Sequence, residues 1–227
     1  LRRASPARRR GDTVLGGRAH HGGGLVSGGL LHGPLGPEAC HVAIDMQVFF
    51  ASGSEWAVPD TLRVLPVVER LARHAPASTI FTRFMPPRTV AEAHGQWQTY
   101  YRRWSSVLRQ ANDTGIYDLL PPLRELASPA QVVDKSAYSA FESVGFCDVL
   151  SRLGFKALIL TGIETDVCVL ATALDAVDRG LRVVMVSDGL GSGSETGHSA
   201  ILQTLAMRYD EQVEIVYSST ILERWRP

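Results

Sequence analysis

Residues 157–168 read Ala157-Leu158-Ile159-Leu160-Thr161-Gly162-Ile163-Glu164-Thr165-Asp166-Val167-Cys168. The apolar run Ala157 to Thr161 predicts a buried strand, the next six residues a turn, and residues 168–177 a helix. That reading puts a thiol in the first turn of a helix. There it faces unpaired backbone N–H groups and the positive end of the helix dipole, both of which favour thiolate over thiol. A free cysteine is more often a small buried hydrophobe, so other residues have to carry a functional reading.

Working outward, strand and helix patterns alternate on both sides. Residues 42–45 form a short apolar strand. Pro59 opens a helix with Leu62, Leu65, Val68, Leu71 and Ala72 on one face. A second strand at 78–84 is cut by Pro86-Pro87, and 91–108 reads as a long aromatic helix or a pair of helices. Residues 131–135 give a third strand. A helix at 146–153 is closed by Gly154, and the Cys168 helix by Gly180. Strands at 182–187 and 212–216 bracket a helix from about 195 to 207. This alternation predicts an α/β fold with a parallel sheet and helices on both faces. In open sheets of that kind, ligands bind beyond the carboxyl ends of the strands.

With 227 residues the chain suits one folded domain. Residues 1–38 hold ten of the 21 glycines and the runs Arg8-Arg9-Arg10 and Gly22-Gly23-Gly24, and are expected to be an unstructured leader before a domain at 39–227. The formal net charge is zero, but six arginines lie in the first 40 residues against Asp12 and Glu38. The rest of the chain therefore keeps 17 of the 23 basic and 21 of the 23 acidic residues. A slightly acidic body is a poor match for nucleic acid, and no apolar stretch approaches the roughly 20 residues of a membrane span. Cys40, Cys147 and Cys168 are sparse and odd in number, without C-x-x-C spacing. They suggest neither a disulfide framework nor structural zinc, and a reducing cytoplasm is expected.

Asp45 ends the first strand, Lys135 the third, and Cys168 follows the fourth, so all three are expected on one edge of the sheet. A thiol with pKa about 8.5 needs a base at neutral pH. Asp45 can take that proton if a cation beside it keeps it ionised, and Lys135 can supply the charge. Lys135 and Lys156 are the only lysines among 21 arginines, and a compact, titratable ammonium does what a guanidinium does not. Taken singly, Asp45 reads as a strand-terminal turn former and Lys135 as a surface ion-pair partner.

Three blocks, Ile44-Asp45-Met46-Gln47 with Phe50, then Asp134-Lys135-Ser136-Ala137-Tyr138-Ser139-Ala140-Phe141, then Thr161 to Val169 with Thr172-Ala173 and Ala176, resemble the isochorismatase-like cysteine hydrolase superfamily over residues 40–217. The resemblance implies a three-layer, Rossmann-like α-β-α fold with a six-stranded, mostly parallel sheet in the order 3-2-1-4-5-6. It implies a catalytic Asp45–Lys135–Cys168 triad, a cis peptide between Ile163 and Glu164, and an oxyanion hole from the backbone N–H groups of Glu164 and Cys168. It also implies a homo-oligomer, a dimer or tetramer, acting on a small molecule.

Thr82-Arg83-Phe84-Met85-Pro86-Pro87 occupies the place where nicotinamidases of this superfamily carry a metal-binding D-x-H, and His94 and His198 lack ligand spacing. Neither metal nor cofactor is expected. The nearest branch is then the group resembling N-carbamoylsarcosine amidase, which cleaves C–N bonds of small amides or ureides through a thioester and releases ammonia. The alternatives are an isochorismatase-type vinyl ether hydrolase and a non-catalytic binding or redox-thiol member of the fold. Phe50, Tyr138 and Arg83 are expected to contact substrate, Arg83 by holding a carboxylate through its bidentate fork. Trp97, Tyr100, Tyr101 and Trp104 read mainly as core or interface. Gly189-Leu190-Gly191-Ser192-Gly193 lacks the third glycine of a dinucleotide loop, since Thr196 stands there.

Overall fold

The computed structural model describes residues 29–112, 114–128 and 131–227. Six strands form one sheet: β1 (Ala39–Ile44), β2 (Thr79–Phe84), β3 (Val132–Lys135), β4 (Ala157–Ile163), β5 (Arg182–Gly191) and β6 (Val213–Val216). They lie in the order β3-β2-β1-β4-β5-β6, every adjacent pair parallel. The order reverses at β1, so β1 and β4 flank the switch point where the carboxyl ends open a crevice.

Two sets of helices cover the sheet. Alternating side chains of a strand point to opposite faces, and β1 shows the consequence. Val42 and Ile44 pack with α5 (Val144–Leu153), α6 (Leu170–Asp178) and α7 (Glu195–Arg208) through Phe146, Leu150, Ala173 and Leu205. Ala43 faces the other layer, where α2 (Asp60–His74) contributes Val64 and Val68. Both faces are dry, which is why β1 and β4 read as continuous apolar runs rather than alternating ones. The short helices α1 (Val48–Ala51), α3 (Gln96–Arg103) and α4 (Pro121–Arg124) surround the aromatic part of that second layer, and α8 (Ser218–Arg224) packs beside α2. Among the described residues no helix is long and apolar enough to cross a membrane.

The structure corrects three expectations. The unstructured leader does not extend to residue 38: Leu35 is buried, bridges in parallel to Trp225, and receives Arg226 N–H on its carbonyl at 2.9 Å. Trp225 Nε1 donates to Gly36 O at 3.1 Å, so residues 35–36 are fastened to the end of the chain. The expectation for residues 1–28 lies outside the described residues. The aromatic helix or pair of helices expected at 91–108 is only α3, followed by single 3-10 turns at Ser105–Val107 and Arg109–Ala111. After Trp104 the chain bonds to distant segments instead, the Ser106 hydroxyl donating to Glu55 and the Arg109 N–H to Pro87 O at 3.1 Å. Strand β5 runs four residues beyond the expected Ser187, because Leu190 and Gly191 pair with Gly162 and Ile163 past a register shift in β4.

Candidate active site

The carboxyl end of β1 sets the first group. Asp45 follows the strand with φ 51°, the left-handed region that short polar side chains tolerate better than most. Its N–H donates to Thr82 Oγ1 at 3.1 Å, and the Thr82 hydroxyl donates back to Asp45 Oδ1 at 2.6 Å. Two hydrogen bonds from one β2 side chain thus fix the orientation of the carboxylate. Gln47 of the first motif does structural work. Its side chain takes the Phe84 N–H at 2.7 Å and donates to Phe84 O at 3.1 Å and Tyr117 O at 2.7 Å, pinning the end of β2.

Lys135, the last residue of β3, reaches across β2 to Asp45. Its Nζ lies 2.7 Å from Asp45 Oδ2, with both side chains essentially free of solvent contact. The ammonium also donates to Ala137 O at 3.1 Å and stands 4.9 Å from the centre of the Phe84 ring. Burial, the largest influence on Lys135, works against its charge. The neighbouring Asp45 and Cys168 outweigh it, and the pKa moves upward. Lys135 therefore pairs with Oδ2, while the Thr82 hydroxyl holds Oδ1.

The third group arrives through β4. At Gly162 (φ 104°) the chain passes so close to β1 that a Cβ would overlap Ile44 O, with Ile44 N at 2.8 Å. Only glycine lets the end of β4 lie against the end of β1, where Asp45 begins. The Ile163–Glu164 peptide that follows is cis. A π-helical turn over Thr165–Val169 leads into α6, and the N–H groups of Val167 and Val169 both donate to Glu164 O at 3.1 Å. Cys168 emerges from this turn 7% exposed, within electrostatic and hydrogen-bonding reach of both Asp45 and Lys135. The three side chains expected at one sheet edge therefore meet.

The thiol differs from the expected low-pKa helix terminus. Burial pushes Cys168 up to about 12; Lys135 pulls it down and Asp45 raises it further. Desolvation disfavours the thiolate, so the shift runs opposite to the expected one.

A cavity of about 310 Å³ opens over these groups and is lined by Asp45, Cys168 and Glu164 together with Phe50, Trp56 and Tyr100. Phe50 and Tyr138 line it as expected, Tyr138 being 38% exposed. Of the α3 aromatics, Tyr100 is a wall of the cavity, whereas Tyr101 is buried behind it and Trp97 packs on Tyr101 and Tyr138 at 5.8 and 4.9 Å. Trp56 was not anticipated. It stands in a loop with no periodic pattern, yet it contacts Phe50, Phe84, Tyr100 and Trp104. Thr82 was not anticipated either, because only the register of β1 on β2 brings it to Asp45.

Arg83 does not reach this cavity. It pairs with Asp134 (Nε to Oδ1, 2.7 Å) and Asp118 (Nη1 to Oδ1, 2.7 Å) and lines a separate groove. The β2–β3 register sets Arg83 beside Asp134, which satisfies the guanidinium away from the site. Among the described residues no group of three or more His, Cys, Asp or Glu side chains gathers as a metal site would.

Comparison with known proteins agrees with this architecture. The family model described as Isochorismatase domain matches residues 39–216. The chain is 28% identical over 172 residues to Nicotinamidase 3 of Arabidopsis thaliana, a match covering 75% of this chain and 82% of that protein. Among solved structures, a cysteine hydrolase from Pseudomonas syringae superposes with a TM-score of 0.71 at 22% identity, covering 84% of this chain and 94% of that one. N-carbamoylsarcosine amidase from Thermoplasma acidophilum superposes with a TM-score of 0.64 at 20% identity, covering 79% and 96%.

Proposed function

This chain belongs to the isochorismatase family, and from that premise we propose that it is a hydrolase cleaving the C–N bond of a small amide or ureide, with Cys168 as nucleophile. The observation that carries the reading is the buried Asp45 carboxylate, paired with the Lys135 ammonium at 2.7 Å and within hydrogen-bonding reach of the Cys168 sulfur. A base waiting for a proton has that arrangement. The relative named nicotinamidase supports an amide substrate. So does a shorter match, 29% over 82 residues and 38% of its length, to maleamate amidohydrolase of Pseudomonas putida.

In the proposed cycle Asp45 takes the Cys168 proton as sulfur attacks the amide carbonyl. The backbone N–H groups of Glu164 and Cys168 receive the oxyanion, a contribution of roughly 3–4 kcal/mol per donor in comparable sites. Asp45 returns the proton to nitrogen, the C–N bond breaks, ammonia leaves, and a thioester remains on Cys168. Water then attacks the thioester, Asp45 accepts its proton and returns it to sulfur, and a carboxylic acid is released. Lys135 stays an ammonium throughout and holds the site's charge balance. A redox-thiol role finds no support, because reactive sensor thiols are exposed and of low pKa whereas this one is buried and shifted upward.

The test is ammonia release from a panel of primary amides and ureides. Turnover by the wild type, reduced more than about 10³-fold in Cys168→Ala, is expected. A Cys168→Ala enzyme as active as the wild type would refute the nucleophile, and a panel without turnover would refute the activity.

A further inference from the structure

The walls of the cavity carry an electrostatic preference that the sheet-edge chemistry does not require. Phe50 and Trp56 lie nearly parallel (8°) with ring centres 6.4 Å apart. Trp56 meets Phe84 at 6.0 Å and Tyr100 at 5.8 Å. Two further carboxylates border the same space, Glu55 and Glu164. Glu164 Oε2 accepts from Gly193 N–H at 2.7 Å and from the Ser192 hydroxyl at 3.4 Å, and Glu55 accepts from the Ser106 hydroxyl. Their donors are neutral, and among the described residues neither carboxylate has an ion-pair partner.

No basic side chain is among the described residues that line the space. Lys135 is sealed beneath Asp45 and does not line the space, and Arg83 is held by Asp118 and Asp134 in another groove. No cation already lies on these rings: the cation–ring contacts of the described residues are Arg103 on Trp104, Lys135 on Phe84 and Arg179 on Phe141, and none lies on Phe50, Trp56, Tyr100 or Tyr138.

Resting on the amide-hydrolase reading, we infer that the substrate carries a positive charge beyond its scissile amide, an ammonium-type head held against the Trp56 aromatic wall between Glu55 and Glu164. Ring faces attract a cation within about 6 Å of their centres, more strongly when it is desolvated. A carboxylate in the same place would meet two like charges and no partner, so the lining selects against anions as much as for cations. A volume of about 310 Å³ stands at the small end of ligand pockets and fits a compact molecule.

Three amides of matched length separate charge from shape: 4-(trimethylammonio)butanamide, its uncharged isostere 5,5-dimethylhexanamide, and the anion glutaramate. The expected order of kcat/KM for ammonia release is cation, neutral, anion, with the cation ahead of its isostere by about tenfold. Glu55→Gln is expected to lower the cation-to-neutral ratio several-fold. A neutral or anionic amide processed as well as the cation would overturn the inference while leaving amide hydrolysis intact. If none is hydrolysed, calorimetry of the same compounds on the wild-type protein decides. Binding of the cation alone would uphold the charge preference without the hydrolase, and equal binding or none would overturn it.

Discussion

Asp45 is oriented by one hydroxyl, and that dependence is measurable. Thr82→Val removes both the donor to Oδ1 and the acceptor for the Asp45 N–H. Turnover is expected to fall about tenfold or more through kcat, with KM nearly unchanged and activity recovered in Thr82→Ser. Lys135→Met is the harsher change: it strands a buried carboxylate, and about 3–5 kcal/mol of stability is expected to go with it in denaturant unfolding. Asp45→Asn separates acidity from catalysis. Because Asp45 raises the thiol pKa, the variant should alkylate Cys168 at lower pH than the wild type yet lose turnover. An alkylation profile moving to higher pH would remove the carboxylate's effect on the thiol. Asp45, Lys135 and Cys168 were legible in the sequence because each terminates or follows an apolar run whose direction is plain. Thr82 and Trp56 were not, since their roles arise from strand register and loop packing rather than from any local pattern.

At the scale of elements, the junction from β4 through the π-helical turn to α6 is what presents sulfur to carboxylate. Gly162→Ala should cost about 1–3 kcal/mol for the backbone conformation alone. The overlap with Ile44 adds to that and should spread the β1 and β4 ends, so activity should fall further than stability. Strand β1 carries a second constraint, the fully buried His41 between Thr79 and Thr161. Burial lowers its pKa from 6.5 to about 3. The unfolded chain therefore binds a proton that the folded chain refuses, and the stability this confers is complete above about pH 6.5 and is lost as pH falls toward 3. Denaturant unfolding across that window should show His41→Gln losing less stability than the wild type; parallel curves would contradict the assignment. The apolar strands and the Gly154 helix stop were legible because burial and left-handed caps leave local signatures. The π turn, the break after Trp104 and the Arg83 pairing were not, since each is decided by neighbours distant in sequence.

For the whole molecule, the alternation of elements predicts the parallel sheet and the family resemblance its order, and the crevice at the reversal beside β1 is where Asp45, Lys135 and Cys168 meet. The two ends of the described domain close on each other through Leu35 and Trp225 beside α2 and α8. Trp225→Ala is expected to cost about 3–5 kcal/mol, a fall in melting temperature on the order of 10 °C, with little change in kcat. Residues 29–38 gave no hint of this in composition, because their glycines and prolines obscure the one buried leucine that does the anchoring.

The covalent intermediate gives the most direct access to the chemistry as a whole. Acid-quenched protein taken during steady-state turnover of an amide should show, by peptide mass spectrometry, an adduct equal to the substrate less ammonia on the peptide bearing Cys168, labile to hydroxylamine. Sustained ammonia release with Cys168 unmodified at every time point, and undiminished in Cys168→Ala, would contradict it.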